Sequence, residues 1–91
     1  MIYKVRIVYR ATEDIREIYE YLHELNISSA DHHLVQLNDA IKSIGISPIR
    51  FAYFFVTSAP YRARLFVPGQ TSFWIVYRVD EFASCVTILR M

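Results

Sequence analysis

The apolar residues change their spacing twice along the chain, and this change confines what it can fold into. Over residues 2–9 they alternate: Tyr3, Val5, Ile7 and Tyr9 fall on one side, Lys4, Arg6 and Val8 on the other. A period of two in β-branched and aromatic residues predicts a half-buried strand. The spacing then becomes three and four. Ile15, Ile18, Leu22 and Leu25, widened by Tyr19, form one stripe, and Leu34, Leu37, Ile41 and Ile44 form another. Each stripe is the apolar face of a helix. From Tyr61 the period is two again. Tyr61, Ala63, Leu65 and Val67 oppose Arg62, Arg64 and Phe66, and Phe73, Ile75, Tyr77 and Val79 oppose Trp74, Val76 and Arg78. Residues 83–90 supply a last strand.

Local signals mark where these elements stop. Thr12 is the expected N-cap of the first helix, with Glu13 and Asp14 in the first turn, where the helix dipole favours negative charge. Asn26 ends that helix, and Ser28 or Ser29 caps the next. A connection of about two residues forces the helices into an antiparallel hairpin. Gly45 is expected to stop the second helix in a left-handed conformation, with Ile46 folding back onto Ile41 and Pro48 preventing resumption. Pro68-Gly69 and Asp80-Glu81 are turn signals. Residues 49–60 are apolar and aromatic but poorly periodic, and strand and ordered loop both stay open there. The expected fold is a single α+β domain over residues 1–91. It has an N-terminal strand, an antiparallel helical hairpin and a C-terminal antiparallel β-meander, in the order β-α-α-β-β-β, with the hairpin on one face of an antiparallel sheet.

Composition removes whole classes of function. At 91 residues there is no room for a second, cofactor-binding domain, and with 54% hydrophobic residues the chain is not a disordered one. Cys85 is the single cysteine, so neither an internal disulfide nor a cysteine zinc site can form. The opening MIYKVRIVYR breaks its apolar residues with Lys4, Arg6 and Arg10, unlike the apolar core of a secretion signal. No apolar run reaches the roughly 18 residues a membrane helix needs. A cytoplasmic protein without a membrane partner is expected. The net charge of +1 hides an asymmetry. Residues 1–45 hold five cations against seven carboxylates, and residues 46–91 hold five cations, all arginine, against two. An acidic half and an arginine half allow a basic face that the total conceals.

No Gly-rich phosphate loop and no H-E-x-x-H motif occurs. His32 and His33 are adjacent and diverge on a helix, and His23 is isolated, so neither a metal nor another cofactor is expected. The acidic series on the first helix reads as a solvated face. The arginines say more. Arg62 and Arg64 are two apart on a strand and share one side of the sheet. Arg78 joins them if the hairpin register permits, with Phe66 and Trp74 among them. Arginines with aromatics on a sheet hold phosphates and stack bases. The plainer alternative is a sheet face kept soluble by arginine.

Two stretches resemble the RelE/ParE superfamily of toxins from bacterial toxin–antitoxin pairs. Tyr9-Arg10-Ala11-Thr12-Glu13-Asp14-Ile15-Arg16-Glu17-Ile18-Tyr19-Glu20-Tyr21-Leu22 is similar to that family's first strand running into an A-x-x-D-[IL]-x-x-I-x-x-Y helix. Tyr61-Arg62-Ala63-Arg64, then Trp74-Ile75-Val76-Tyr77-Arg78-Val79-Asp80-Glu81, then Val86-Thr87-Ile88-Leu89-Arg90 resembles its meander. The resemblance implies a growth-inhibiting toxin held as a hetero-oligomer by a cognate antitoxin peptide. It offers two targets. RelE-like members cut mRNA on the ribosome, with arginine and lysine on the sheet and a catalytic residue in a basic segment beyond the last strand. ParE-like members poison DNA gyrase without being nucleases. Where RelE-like sequences place an arginine just after the aromatic of the next strand, this chain has Phe73-Trp74, and its last strand runs into Arg90-Met91. The resemblance is therefore nearer ParE. A relative retaining only antitoxin binding is a third possibility. Arg62, Arg64, Arg78, Arg90, Trp74 and Tyr77 are the expected target-binding residues, with no catalytic residue assigned. Phe51, Tyr53, Phe54 and Phe55 are the expected antitoxin contacts.

Overall fold

The computed structural model describes residues 2–50, 61–69 and 71–91, and the backbone of residues 53–54. Strand β1 (Lys4–Ile7) leads into helices α1 (Tyr9–Leu25) and α2 (Ile27–Ile46). A 3₁₀ turn over Pro48–Arg50 and the short strand β2 (Tyr53–Phe54) come next, followed by β3 (Tyr61–Phe66), β4 (Phe73–Asp80) and β5 (Cys85–Arg90). The expected β-α-α-β-β-β order is present, with β2 added at one edge. Of the expected antitoxin contacts, Phe51 and Phe55 lie outside the described residues. Tyr53 and Phe54 form β2, pairing with Arg62 and Tyr61.

The sheet order is β1-β5-β4-β3-β2. The meander is antiparallel as expected, but β1 joins β5 in parallel, so the sheet is mixed. In this register Val5 faces Val86 and Ile7 faces Ile88, which brings four apolar residues onto one side. Both Val86 and Ile88 are completely buried. The helical hairpin lies on that side. Leu37, Ala40, Ile41 and Ile44 of α2, with Ala11 of α1, pack against Phe66, Ile75, Tyr77, Val86 and Ile88. Burying each large apolar side chain stabilises the fold by about 1.5–3 kcal/mol.

Three local expectations change. Helix α1 begins at Tyr9, three residues before Thr12, with Val8 at the cap position and no side-chain cap. The Val8 N–H still bonds the Ile88 carbonyl at 3.1 Å, so the strand runs straight into the helix and leaves no loop in which Thr12 could cap. Between the helices, the Asn26 side chain accepts the Ser28 N–H, so Asn26 rather than Ser28 or Ser29 caps α2. Gly45 does not stop α2, which runs to Ile46. A Cβ at Gly45 would lie 2.8 Å from Val5 Cγ2 and 3.3 Å from the Tyr3 carbonyl oxygen. The Tyr3 N–H in turn bonds the Gly45 carbonyl at 2.8 Å. Here glycine serves close approach of helix and strand, the other use of a missing side chain.

The buried stripe of α1 is Ala11, Asp14, Ile18 and Leu22, while Ile15 is half-buried and Leu25 is exposed. The stripe is turned relative to the one the apolar residues outline, and it places a carboxylate at a core position. Among the described residues, no helix is long and apolar enough to cross a membrane.

Candidate functional site

Residues facing one another across an antiparallel pair share a side of the sheet, and successive residues alternate. Arg62 faces Tyr77, Arg64 faces Ile75 and Phe66 faces Phe73. Tyr77 and Ile75 are completely buried on the helix side. Arg62 and Arg64 therefore share a side, as their spacing implies, and it is the side that carries the helices. Both are half-buried.

Arg62 and Tyr77 act together on the chain leaving α2. The Tyr77 hydroxyl donates to the Pro48 carbonyl at 2.5 Å, and Arg62 Nη1 donates to the Ile49 carbonyl at 3.3 Å. Two facing side chains thus hold consecutive carbonyls of the 3₁₀ turn. Burial pushes the Tyr77 phenol up to about 12, against the pull of the Arg62 and Arg64 charges. At neutral pH it is a fixed donor rather than a proton shuttle. Arg64 Nη1 bonds the Leu65 carbonyl at 3.2 Å.

Arg78 lies on the opposite side. It follows Tyr77 and faces Thr87, so the register does not let it join Arg62 and Arg64 on one face. Trp74 shares its side, faces Leu65 and is half-exposed, whereas Phe66 is in the core. Arg62 and Arg78 approach each other only around the strand ends. There an open groove of about 440 Å³ is lined by both, with Ile49, Asp80, Glu81 and Phe82. Phe82 is fully exposed at the tip of the β4–β5 turn.

Arg90 is at a third place. Its Nε donates to Asp14 Oδ2 at 2.8 Å, the Met91 N–H donates to the same oxygen at 2.9 Å, and Arg10 lies 3.8 Å from Oδ1. Burial raises the Asp14 pKa, but the Met91 N–H, Arg90 and Arg10 outweigh it and hold the carboxyl below its ordinary value. Asp14 of the opening motif and Arg90 of the closing one are thus one structural unit, joining α1 to the end of β5. The spacing of Asp14 from Ile18 and Leu22 is the signal that marks it as a stripe residue.

The six expected target-binding residues are therefore distributed over both sides of the sheet and its end. Their chemistry is that of cation and aromatic contact. Among the described residues, no cluster of three or more histidine, cysteine or carboxylate side chains suited to a metal forms. Sequence reasoning missed Phe82 and Ile49, which line the groove, and Lys4 and Arg6, which lie on the same side of the sheet as Arg78. The alternation of Lys4 and Arg6 places them on one side of β1, but nothing local shows that β1 lies beside β5.

The architecture is that of a small α+β domain, and its β-α-α-β-β-β order is consistent with the general topology that the resemblance implies. No protein-family model matches the chain, and a search of curated proteins returns no match.

Proposed function

We propose that the protein is the toxin of a toxin–antitoxin pair, nearer the ParE-like kind. On this reading it arrests growth by acting on DNA gyrase and is neutralised by a cognate antitoxin. The β-α-α-β-β-β order supports the superfamily reading: the meander stretch falls on β3, β4 and β5, while the opening stretch lies wholly in α1, directly after β1, rather than running from strand into helix. One observation favours gyrase over mRNA cleavage. Tyr77, the strand tyrosine that faces Arg62, is sealed in the core with its hydroxyl given to Pro48 and its pKa pushed up to about 12. Cleaving RNA requires a base for the 2′-hydroxyl and an acid for the leaving oxygen. Poisoning gyrase requires a binding surface and no proton transfer. The surfaces on offer are the groove that joins Arg62 to Arg78, and Trp74 on the outer face.

A supercoiling assay with the purified protein tests this. Loss of supercoiling with accumulation of cleaved DNA, reversed by the co-purified antitoxin, is expected. No effect on gyrase at micromolar protein refutes it. Primer extension on translated mRNA then distinguishes a ribosome-dependent nuclease from a relative that only binds antitoxin.

A further inference from the structure

The groove at the end of the sheet carries both signs of charge around one aromatic. Arg62, Arg78, Asp80 and Glu81 line it together with Ile49, Val79 and Phe82. Among the described residues, neither Arg78, Asp80 nor Glu81 belongs to an ion pair. Phe82 is fully exposed, and Ile49 is 56% exposed. The β4–β5 turn is closed by its own hydrogen bonds. Asp80 Oδ1 accepts the Ala83 N–H at 3.1 Å, and the Ser84 N–H donates to the Glu81 carbonyl at 3.3 Å. The Ser84 carbonyl in turn accepts the Lys4 N–H at 2.9 Å. A turn braced in this way holds Phe82 out in solvent, away from its own groove. The Ile49 wall is fixed as well, since Tyr77 and Arg62 hold the Pro48 and Ile49 carbonyls. Little is left to be ordered when this surface binds.

We infer that the groove is a two-fold interface between two copies of this chain. Phe82 of each copy enters the groove of the other beside Ile49, and Glu81 of each meets Arg78 of the other. The groove of about 440 Å³ has room for the ring, since a closed cavity of about 150 Å³ already admits benzene. In a two-fold contact every favourable pair occurs twice. A buried aromatic is a common anchor of an interface, and the charges around it fix the register. The charge pattern selects a second copy over another occupant. An acidic peptide matches the arginines but is repelled by Asp80 and Glu81, and a basic peptide meets the reverse. A surface with both signs about one aromatic is matched by its own two-fold image. The contact is small, so the dimer is weak and depends on concentration. It does not depend on gyrase being the target, and it covers the groove for as long as it lasts.

The test is sedimentation velocity of the full chain from about 5 to about 500 μM protein in about 50 mM salt. The mass is expected to rise from 10.7 kDa towards twice that value. Raising the salt to about 500 mM is expected to weaken the dimer about threefold or more. Phe82→Ala is expected to weaken it about tenfold or more. Arg78→Glu and Glu81→Arg are each expected to do the same, because each sets like charges opposite one another twice. Mixed in equal amounts, these two variants are expected to form a heterodimer of about wild-type affinity, since both of its contacts again pair opposite signs. Matching thermal melts establish that the variants are folded. A protein that stays monomeric throughout overturns the interface. So does a dimer unaffected by Phe82→Ala, or a mixture no tighter than its separate components. Growth beyond the dimer shows an open, non-reciprocal contact and overturns it too. A loss confined to Trp74→Ala places the contact on the outer face of the sheet instead.

Discussion

Replacing Asp14 by alanine is expected to remove a large part of the stability of this domain, although it deletes a charge and creates no large cavity. The carboxylate is 6% exposed and accepts from Arg90 Nε and the Met91 N–H. A hydrogen bond to a charged group contributes about 1.5–3 kcal/mol, and an ordinary one about 1 kcal/mol. The Arg90 side chain is 56% exposed, so its share belongs at the low end of that range. The two together give about 2–3 kcal/mol. In a domain of this size that lowers the melting temperature by roughly 10–20 °C. Asp14→Asn keeps the shape and one acceptor oxygen, and is expected to lose about half as much. The effect has a definite pH dependence. The folded Asp14 pKa is depressed, so its contribution is complete above the unfolded carboxylate value and is lost as pH falls through the folded one. Urea melts followed by circular dichroism, at neutral pH and again near pH 3, measure both. A difference between wild type and Asp14→Ala below about 1 kcal/mol at neutral pH, or one that does not shrink in acid, would refute the assignment of Asp14 as the link between α1 and β5.

Other perturbations probe separate parts of the fold and the site. Gly45→Ala is expected to destabilise by about 1 kcal/mol: the gain of about 1 kcal/mol in helix propensity is outweighed by a 2.8 Å overlap with stiff, β-branched Val5. A more stable variant would mean that Val5 moves aside without cost. Tyr77→Phe leaves the Pro48 carbonyl without its donor and is expected to cost about 1–2 kcal/mol in a urea melt. Because the folded Tyr77 pKa lies above the unfolded one, its neutral form favours the fold below pH 10. That contribution is lost as pH rises from 10 to about 12, and a spectrophotometric titration should show one phenol ionising last. Arg62→Ala combined with Arg64→Ala is expected to abolish growth arrest if the helix side of the sheet meets the target. Unchanged toxicity in folded protein would move the target contact away from that pair.

The difference between what could be read and what could not is clear at three residues. Arg62 and Arg64 share a side because a strand alternates strictly, and that parity was legible from two positions. Asp14 was legible as a helical residue, but it reads as a dipole-favoured first-turn acid, because the helix start depends on a strand hydrogen bond from Val8 to Ile88, eighty residues away. Gly45 was legible as special, but for the wrong reason. A glycine near a helix end has two uses, and only the position of Val5 selects between them. The site followed the same pattern. Each arginine was a sound candidate as a residue type, yet Arg62 was drawn to Ile49, Arg90 to Asp14 and Arg78 to the far side.

Hydrophobic period is a local property. It follows from backbone geometry within a few residues, so the chain alone was enough to set the strand, the helical hairpin and the meander in order. Which strands become neighbours is a non-local matter, decided by which pairing buries the most apolar surface at once. That choice placed β1 in parallel beside β5, aligned Val5 and Ile7 with Val86 and Ile88, and on the reverse side set Arg6 and Arg78 about Thr87. The cations of the outer face were present in the sequence from the first strand onward. Only folding made them neighbours, because the core on one side of a pleated sheet dictates the register of the other.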